Sequence, residues 1–359
     1  MVQLFGREWT RQEMQGYVGN LAQLGGIRPM ELVAGRERGV RGFEVSTGAG
    51  LSFTVLADRA LDITHASYHG QSLAFLTPGG QAHPAYYESQ GPGWLQTFPG
   101  GLVTTCGLSY CGAPSREDGE EFGLHGRVSA LPAAEVGYWH EWQGDECWCY
   151  IKGSLTEGAL FSSPLHLTRQ ISTQLGSNCL ALDDTVENLG GQPAPHMMLY
   201  HCNFGFPFLG PATQLVTSSR QVTPRDAHAA SGVTAYGVFQ QPEPGYAEQC
   251  FFHEMVADNA GQVRVALINP ELAGGLGIGL TYDKHSLPYF TEWKQMGYGS
   301  YVLGLEPGNC LVMGRAAERT AGRLRFLQPG ESVSYHLEIA VLDSQPIIEE
   351  FVARITAVR

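Results

Sequence analysis

Residues 195–207 read PHMMLYHCNFGFP. Apart from two histidines and an asparagine the segment is almost wholly apolar, and a short apolar run bounded by turn residues is the signature of a strand buried on both faces. The residues before it, DDTVENLGGQPA at 183–194, read as another strand that closes in a Gly/Pro turn. A histidine inside such a run loses hydration unless something partners it or uses it. His201 therefore calls for a partner, and His125 and Glu306 are the candidates. Taken alone, it is a structural histidine.

Working outward, the same strand grammar fills the chain. GFEVST and LSFTVLA alternate on either side of a Gly48-Ala-Gly50 turn, and WCYIKGSL, LHLTRQIST and CLALDDTVEN follow with Gly/Ser/Asn turns between them. Periodicity loosens over about 210–248 and resumes in VRVALIN, LGIGLTYD, SYVLGLE and SVSYHLEIAVL. Thr10 with Glu13 fits a capping box ahead of an amphipathic helix through Met14, Tyr17, Val18 and Leu21. Asp343 or Ser344 with Pro346 opens a final helix carrying Ile348, Phe351, Val352 and Ile355. The expectation is all-β: one large antiparallel β-sandwich of two curved sheets with short peripheral helices. It makes a single domain over 1–359, with residues 1–40 as a helical extension.

Composition narrows the partners. With 22 Lys plus Arg against 35 Asp plus Glu, the net charge of −13 opposes nonspecific binding to nucleic acid or anionic membranes. No run of about 18 apolar residues occurs, so no membrane span is expected. Arg7, Glu8, Arg11 and Glu13 interrupt the apolar core that a signal peptide needs, which points to the cytoplasm. The eight cysteines include no C-x-x-C and read as reduced core fillers, with no metal site expected. Monomer and homodimer both remain open.

Several stretches carry possible chemistry. Asp58, Arg59 and Asp62 in ADRALDI form either a buried ion-pair cluster, which Arg–carboxylate pairing favours, or a substrate-facing one. His65 and His69 read as surface histidines. The loop 77–101, TPGGQAHPAYYESQGPGWLQTFPGG, is long and rich in aromatics. Tyr86, Tyr87 and Trp94 either stack on a sugar ring or pin the loop to the core. SREDGEEF at 115–122 reads as an exposed acidic loop, and His125 follows it at a strand edge. Glu306 ends an apolar strand before Pro-Gly, where partial desolvation raises a carboxylate's pKa and makes it a better base. Trp293 and Lys294 lie just upstream as a sugar platform with a polar donor.

Three of these stretches together resemble the aldose 1-epimerase (galactose mutarotase-like) superfamily, in an outlying branch. LHG at 124–126 resembles the segment whose His binds substrate, VEN…HCNF at 186–204 the strand of the general acid, and GLEPGN at 304–309 the strand end of the general base. LQPGES at 327–332 resembles the family's closing turn. The resemblance implies interconversion of the α and β anomers of a free aldose, with Glu306 as base, His201 as acid and His125 as donor, and no cofactor. Asn203 stands where the family carries an aromatic residue, and GLVTTCGL replaces its arginine motif, with Arg59 as a candidate substitute. Arg59, Asn203, Lys294, Trp293 and Trp94 are the expected substrate contacts, and a small-molecule sugar the expected partner. A sugar isomerase working on a modified sugar and a non-catalytic carbohydrate-binding protein are the alternatives.

Overall fold

The computed structural model describes residues 1–117 and 119–358. All paired strands run antiparallel, and most belong to three sheets. Eight strands make the largest, in the spatial order Ala134–Gln143, Glu146–Glu157, Leu165–Gln174, Cys179–Asn188, Ser332–Leu342, Leu276–Asp283, Gln262–Asn269 and Gln214–Thr217. The second runs Ser219–Pro224, Gln249–Met255, Tyr289–Gly297, Ser300–Gly308, Ala194–Gly205 and Arg325–Leu327, with Thr104–Leu108 also paired to Ala194–Gly205. A further sheet of five strands spans 26–72, a layer beyond the two sheets expected.

Burial along the strands explains the sandwich. Ser332–Leu342 alternates buried and exposed, as a strand covered on one face must. Ala194–Gly205 is buried almost throughout. Its even residues, Met198, Tyr200, Cys202 and Phe204, enter the main core with Leu167, Leu182, Leu303 and Leu305. Its odd residues Met197 and Leu199 join a second cluster with Trp94, Phe98, Cys106 and Cys111. The apolar run of 195–207 thus follows from a loop covering the sheet's outer face.

The helical ends hold with adjustments. Thr10 caps Arg11–Tyr17 in a capping box with Glu13, but the helix stops at Tyr17. Residues 1–40 are therefore only partly helical: Val2–Leu4 and Arg7–Trp9 form a hairpin, and Gly26–Glu31 is an edge strand of the five-stranded sheet. The last helix, Gln345–Thr356, buries Ile348 and Ile355. The expected acidic loop is instead a hairpin of Ser115–Glu117 and Glu120–Phe122; its Asp118 lies outside the described residues. No described helix is long and apolar enough to cross a membrane.

One buried network ties the sheets together. Arg169 grips Asp184 through Nε (2.8 Å) and Nη2 (2.7 Å), while its Nη1 donates to Asp62 (2.9 Å) and the Ala60 carbonyl (3.1 Å). Tyr200 donates to Asp184 (2.7 Å), and Thr105 donates to Asp62 through its amide (3.1 Å) and hydroxyl (2.6 Å). Of the acids in ADRALDI, Asp62 therefore pairs with Arg169, and Asp58 with Arg41 at 2.6 Å. The cluster is structural. Burial pushes the Asp62 carboxyl up, with Arg169 opposing. Removing one member of such a buried set leaves an uncompensated charge. Arg169→Leu is expected to cost about 3–5 kcal/mol in denaturant unfolding. Arg28→Leu, from the exposed Arg28–Glu44 pair, is expected to change little.

Candidate active site on the outer face of the central sheet

Strand register brings the two key side chains together. The pairs Leu199–Gly308 and Cys202–Leu305 put His201 opposite Glu306 on the neighbouring strand, on the face away from the main core. His201 Nε2 lies 3.2 Å from Glu306 Oε1, and both side chains are buried. Gly304 makes this approach possible. A Cβ there would stand 2.7 Å from Glu306 Oε1, 3.1 Å from Trp293 Cβ and 3.2 Å from His201 Cε1.

His125 arrives from a loop. It sits at φ +57°, in the left-handed region uncommon for a residue with a side chain. Its amide donates to the Gly112 carbonyl (2.8 Å), and its own carbonyl accepts from the Gly107 amide (3.1 Å). Gly126 follows at φ +81°, with the Gly107 carbonyl 2.2 Å from where a Cβ would be, so only glycine fits. Tyr87 donates its hydroxyl to the Gly126 carbonyl (3.0 Å). The rings of His125 and His201 meet edge to face, 5.7 Å apart.

A cavity of about 210 Å³ opens over these groups, lined by Trp94, Phe98, His125, His201, Trp293 and Glu306, with Arg225 and Glu248 among its other walls. Trp94 stacks on Phe98 at 4.4 Å and meets His125 at 4.7 Å, while Phe98 and Trp293 each lie 5.3 Å from His201. Glu248 accepts from Trp293 Nε1 (2.7 Å) and from Arg225 (3.1 Å), and Arg225 also pairs with Asp226 (2.9 Å). A larger open groove of about 830 Å³ lies over residues 20–29, but its ionisable residues Arg28, Glu44, His65 and His140 are all exposed. No buried acid–base pair sits there.

Electrostatics disfavour charge on the groups at the centre of the site. Burial pushes the Glu306 carboxyl well up, the nearby Glu248 charge adds to this, and Arg225 partly offsets it. Burial pulls the His201 imidazole well down, with His125 adding and Asn203 opposing. His125 is lowered to about 4, again chiefly by burial. Each group resists ionising alone, so a proton is shared most readily between His201 and Glu306 across their contact.

Of the residues expected from sequence, His125, His201, Glu306, Trp94 and Trp293 converge on the cavity. Arg59 does not: its guanidinium donates to the carbonyls of Ala82 (2.8 Å) and Thr97 (2.9 Å), holding the 77–101 loop. Lys294 cannot join Trp293, because neighbours on a strand point to opposite faces. Its amine donates to Ala235 and Val238 carbonyls (2.9 and 2.5 Å). Asn203 shares the face of His201 but lies outside the cavity wall, donating to the carbonyls of Gly101 (3.0 Å) and His201 (2.7 Å). His65 and His69 are exposed, as expected. Arg225, Glu248 and Phe98 are among the wall residues that sequence reasoning missed. The first two come from the stretch where periodicity lapses, and functional side chains concentrate in such loops.

The family model described as a domain of unknown function, DUF4432, matches residues 37–341. The chain belongs to the DUF4432 family. This DUF4432 protein is similar in structure to a "putative aldose 1-epimerase" from Klebsiella pneumoniae, at 25% identity and TM-score 0.87 over 92% of this chain and 87% of that one. A galactose mutarotase-like protein from Clostridium acetobutylicum is similar in fold at 12% identity and TM-score 0.63, over 89% of this chain and 99% of that one. A galactose 1-epimerase from Lactobacillus acidophilus is similar at 12% identity and TM-score 0.52, over 88% and 98%. Among functionally curated proteins none matches.

Crowding at Gly304 generates a direct test. Gly304→Ala is expected to cost about 1–3 kcal/mol in denaturant unfolding, the range for overpacking. Gly237→Ala, whose methyl would meet only Leu215 Cβ at 3.7 Å, should leave stability unchanged.

Proposed function

We propose that this protein is an isomerase of the aldose 1-epimerase kind, interconverting the α and β anomers of a free aldose or a closely related sugar. The observation that carries this reading is the buried His201–Glu306 pair, 3.2 Å apart and open to a small cavity with aromatic walls. At about 210 Å³ the cavity is below the roughly 300–1,000 Å³ of sites for drug-sized ligands, which suits one sugar ring. Trp94 and Trp293 supply apolar faces for the ring, and the Arg225–Glu248 pair supplies donors and acceptors for its hydroxyls. Because Arg225 is already paired with two carboxylates, a neutral sugar fits better than a phosphorylated one. We take residues 1–359 as one domain acting in the cytoplasm, where eight free thiols stay reduced.

The chemistry follows from proton accounting. Opening the ring removes the proton of the anomeric hydroxyl and delivers one to the ring oxygen; the C1–C2 bond then rotates, and reclosure reverses both transfers. A carboxylate and an imidazole sharing one proton perform both halves, and their combined proton count is unchanged. Glu306 is the base on the anomeric hydroxyl, His201 the acid at the ring oxygen, and His125 a donor to that oxygen. Burial by protein alone favours the uncharged form of the pair. Sugar hydroxyls in the liganded site supply the dipoles that stabilise the form with the proton on His201.

Polarimetry on freshly dissolved aldoses tests the reading. Glu306→Gln and His201→Asn are each expected to slow anomer exchange by about 10²–10⁴-fold, with calorimetric sugar binding retained. Exchange at the unmodified rate in Glu306→Gln would remove Glu306 from the mechanism. Binding of sugars by the unmodified protein with no faster exchange would instead identify a carbohydrate-binding protein, and a new compound would identify an isomerase of another kind.

A further inference from the structure

Behind the cavity, His125 meets a group of thiols that anomer exchange does not use. Cys106 comes from the strand Thr104–Leu108, and Cys111 from the loop that follows it. Both are buried, at 0% and 1% exposure. Sγ of each cysteine and a ring nitrogen of His125 all lie within 4.8 Å of one another, and Cys111 Sγ is 4.0 Å from His125 Nδ1. Cys310, also buried, lies close enough to Cys111 to perturb its thiol. Among the described residues this is the one cluster of three metal-ligating groups converging in this way.

We propose that Cys106, Cys111 and His125 Nδ1 form a binding site for a thiophilic divalent ion, zinc being the best match. Tetrahedral zinc, with bonds of about 2.3 Å to sulfur and about 2.0 Å to nitrogen, sets ligand atoms about 3.5–3.8 Å apart. The observed spread of up to 4.8 Å needs the three to draw in by about 1.3 Å at most. Charge also balances. Cys106 and Cys111 give up their two protons, the two thiolates neutralise the ion, and His125 binds as neutral imidazole, so no net charge is left in the apolar surroundings. Two sulfurs and a nitrogen select zinc over magnesium or calcium, which take oxygen ligands.

The site would also act on the neighbouring cavity. Metal on Nδ1 fixes the imidazole with its remaining proton on Nε2, making that nitrogen a permanent hydrogen-bond donor. Metal binding itself is independent of whether the cavity turns over a sugar.

The test is a cobalt titration of full-length protein, stripped with a chelator under reducing, oxygen-free conditions. We expect a thiolate-to-cobalt charge-transfer band that saturates at one equivalent, is displaced by zinc, and is accompanied by release of about two protons per ion. The band should vanish in Cys106→Ser/Cys111→Ser and persist in Cys149→Ser, whose thiol belongs to another strand. If the double variant does not fold, the unmodified protein still decides. Zinc should shift the His125 Nδ1 resonance in a ¹⁵N spectrum. No band in the unmodified protein, a band that survives in the double variant, or an unshifted His125 Nδ1 would each overturn the site. None of these readouts depends on anomer exchange.

Discussion

Arg169 is the constraint on which the rest of the architecture hangs. A fully buried guanidinium must find acceptors for nearly all its donors, and here they come from separate parts of the fold: Asp184 from the large sheet, Asp62 and the Ala60 carbonyl from the edge of the five-stranded sheet. Tyr200 and Thr105 then bond to the same two carboxylates from the central sheet. Apolar contacts alone would let sheets slide over one another with little change in buried area. Directional bonds to a single buried cation forbid that, and so fix where the central sheet stands. Tyr200 and Thr105 are the immediate neighbours of His201 and of its pairing partner Thr104. The acid–base pair inherits its position from this network.

Much of this was legible in the sequence. Alternation gave the strands and the capping residues gave the end helices, because both are local signals. His201 and Glu306 stood out as polar groups inside apolar runs, and three short motifs joined them to His125. What escaped is what depends on which face a residue points to, or on which distant segment it meets. Arg59 is a candidate for the family's missing arginine on resemblance alone, yet it bonds to the carbonyls of the 77–101 loop, and Arg169, 107 residues from Asp62, takes that carboxylate. Lys294 failed for the opposite reason: adjacency to Trp293 along a strand is separation in space. Arg225 and Glu248 belong to a stretch without periodicity, so nothing local marked them. Of the five-stranded sheet, GFEVST and LSFTVLA are the strands that alternation marks, while the sheet as a layer is decided by long-range pairing.

The cavity's construction divides labour between backbone and side chains. Glycines create the space: Gly304 lets carboxylate and imidazole meet, and Gly126 lets the His125 turn press against the strand below. The loop 77–101 supplies Trp94 and Phe98, and Arg59 anchors that loop by bonding to its carbonyls at two points. Aromatic residues in the loop therefore serve two purposes at once, closing the outer face of the sheet and forming the cavity wall. The two readings of the loop drawn from sequence divide between different residues: Trp94 lines the cavity, while Tyr87 braces the turn that holds His125.

The two-faced burial of the strand Ala194–Gly205 has a consequence for how such a protein can diverge. Its even-numbered side chains belong to the core that determines folding, and its odd-numbered ones to a separate cluster beneath the loop. Changes in the loop or in the Arg225–Glu248 wall can therefore reshape what the cavity accepts while the core's packing stays intact. A lineage built this way can explore new ligands by drift in its outer shell, with the sheet as an unchanging partition between inheritance and novelty.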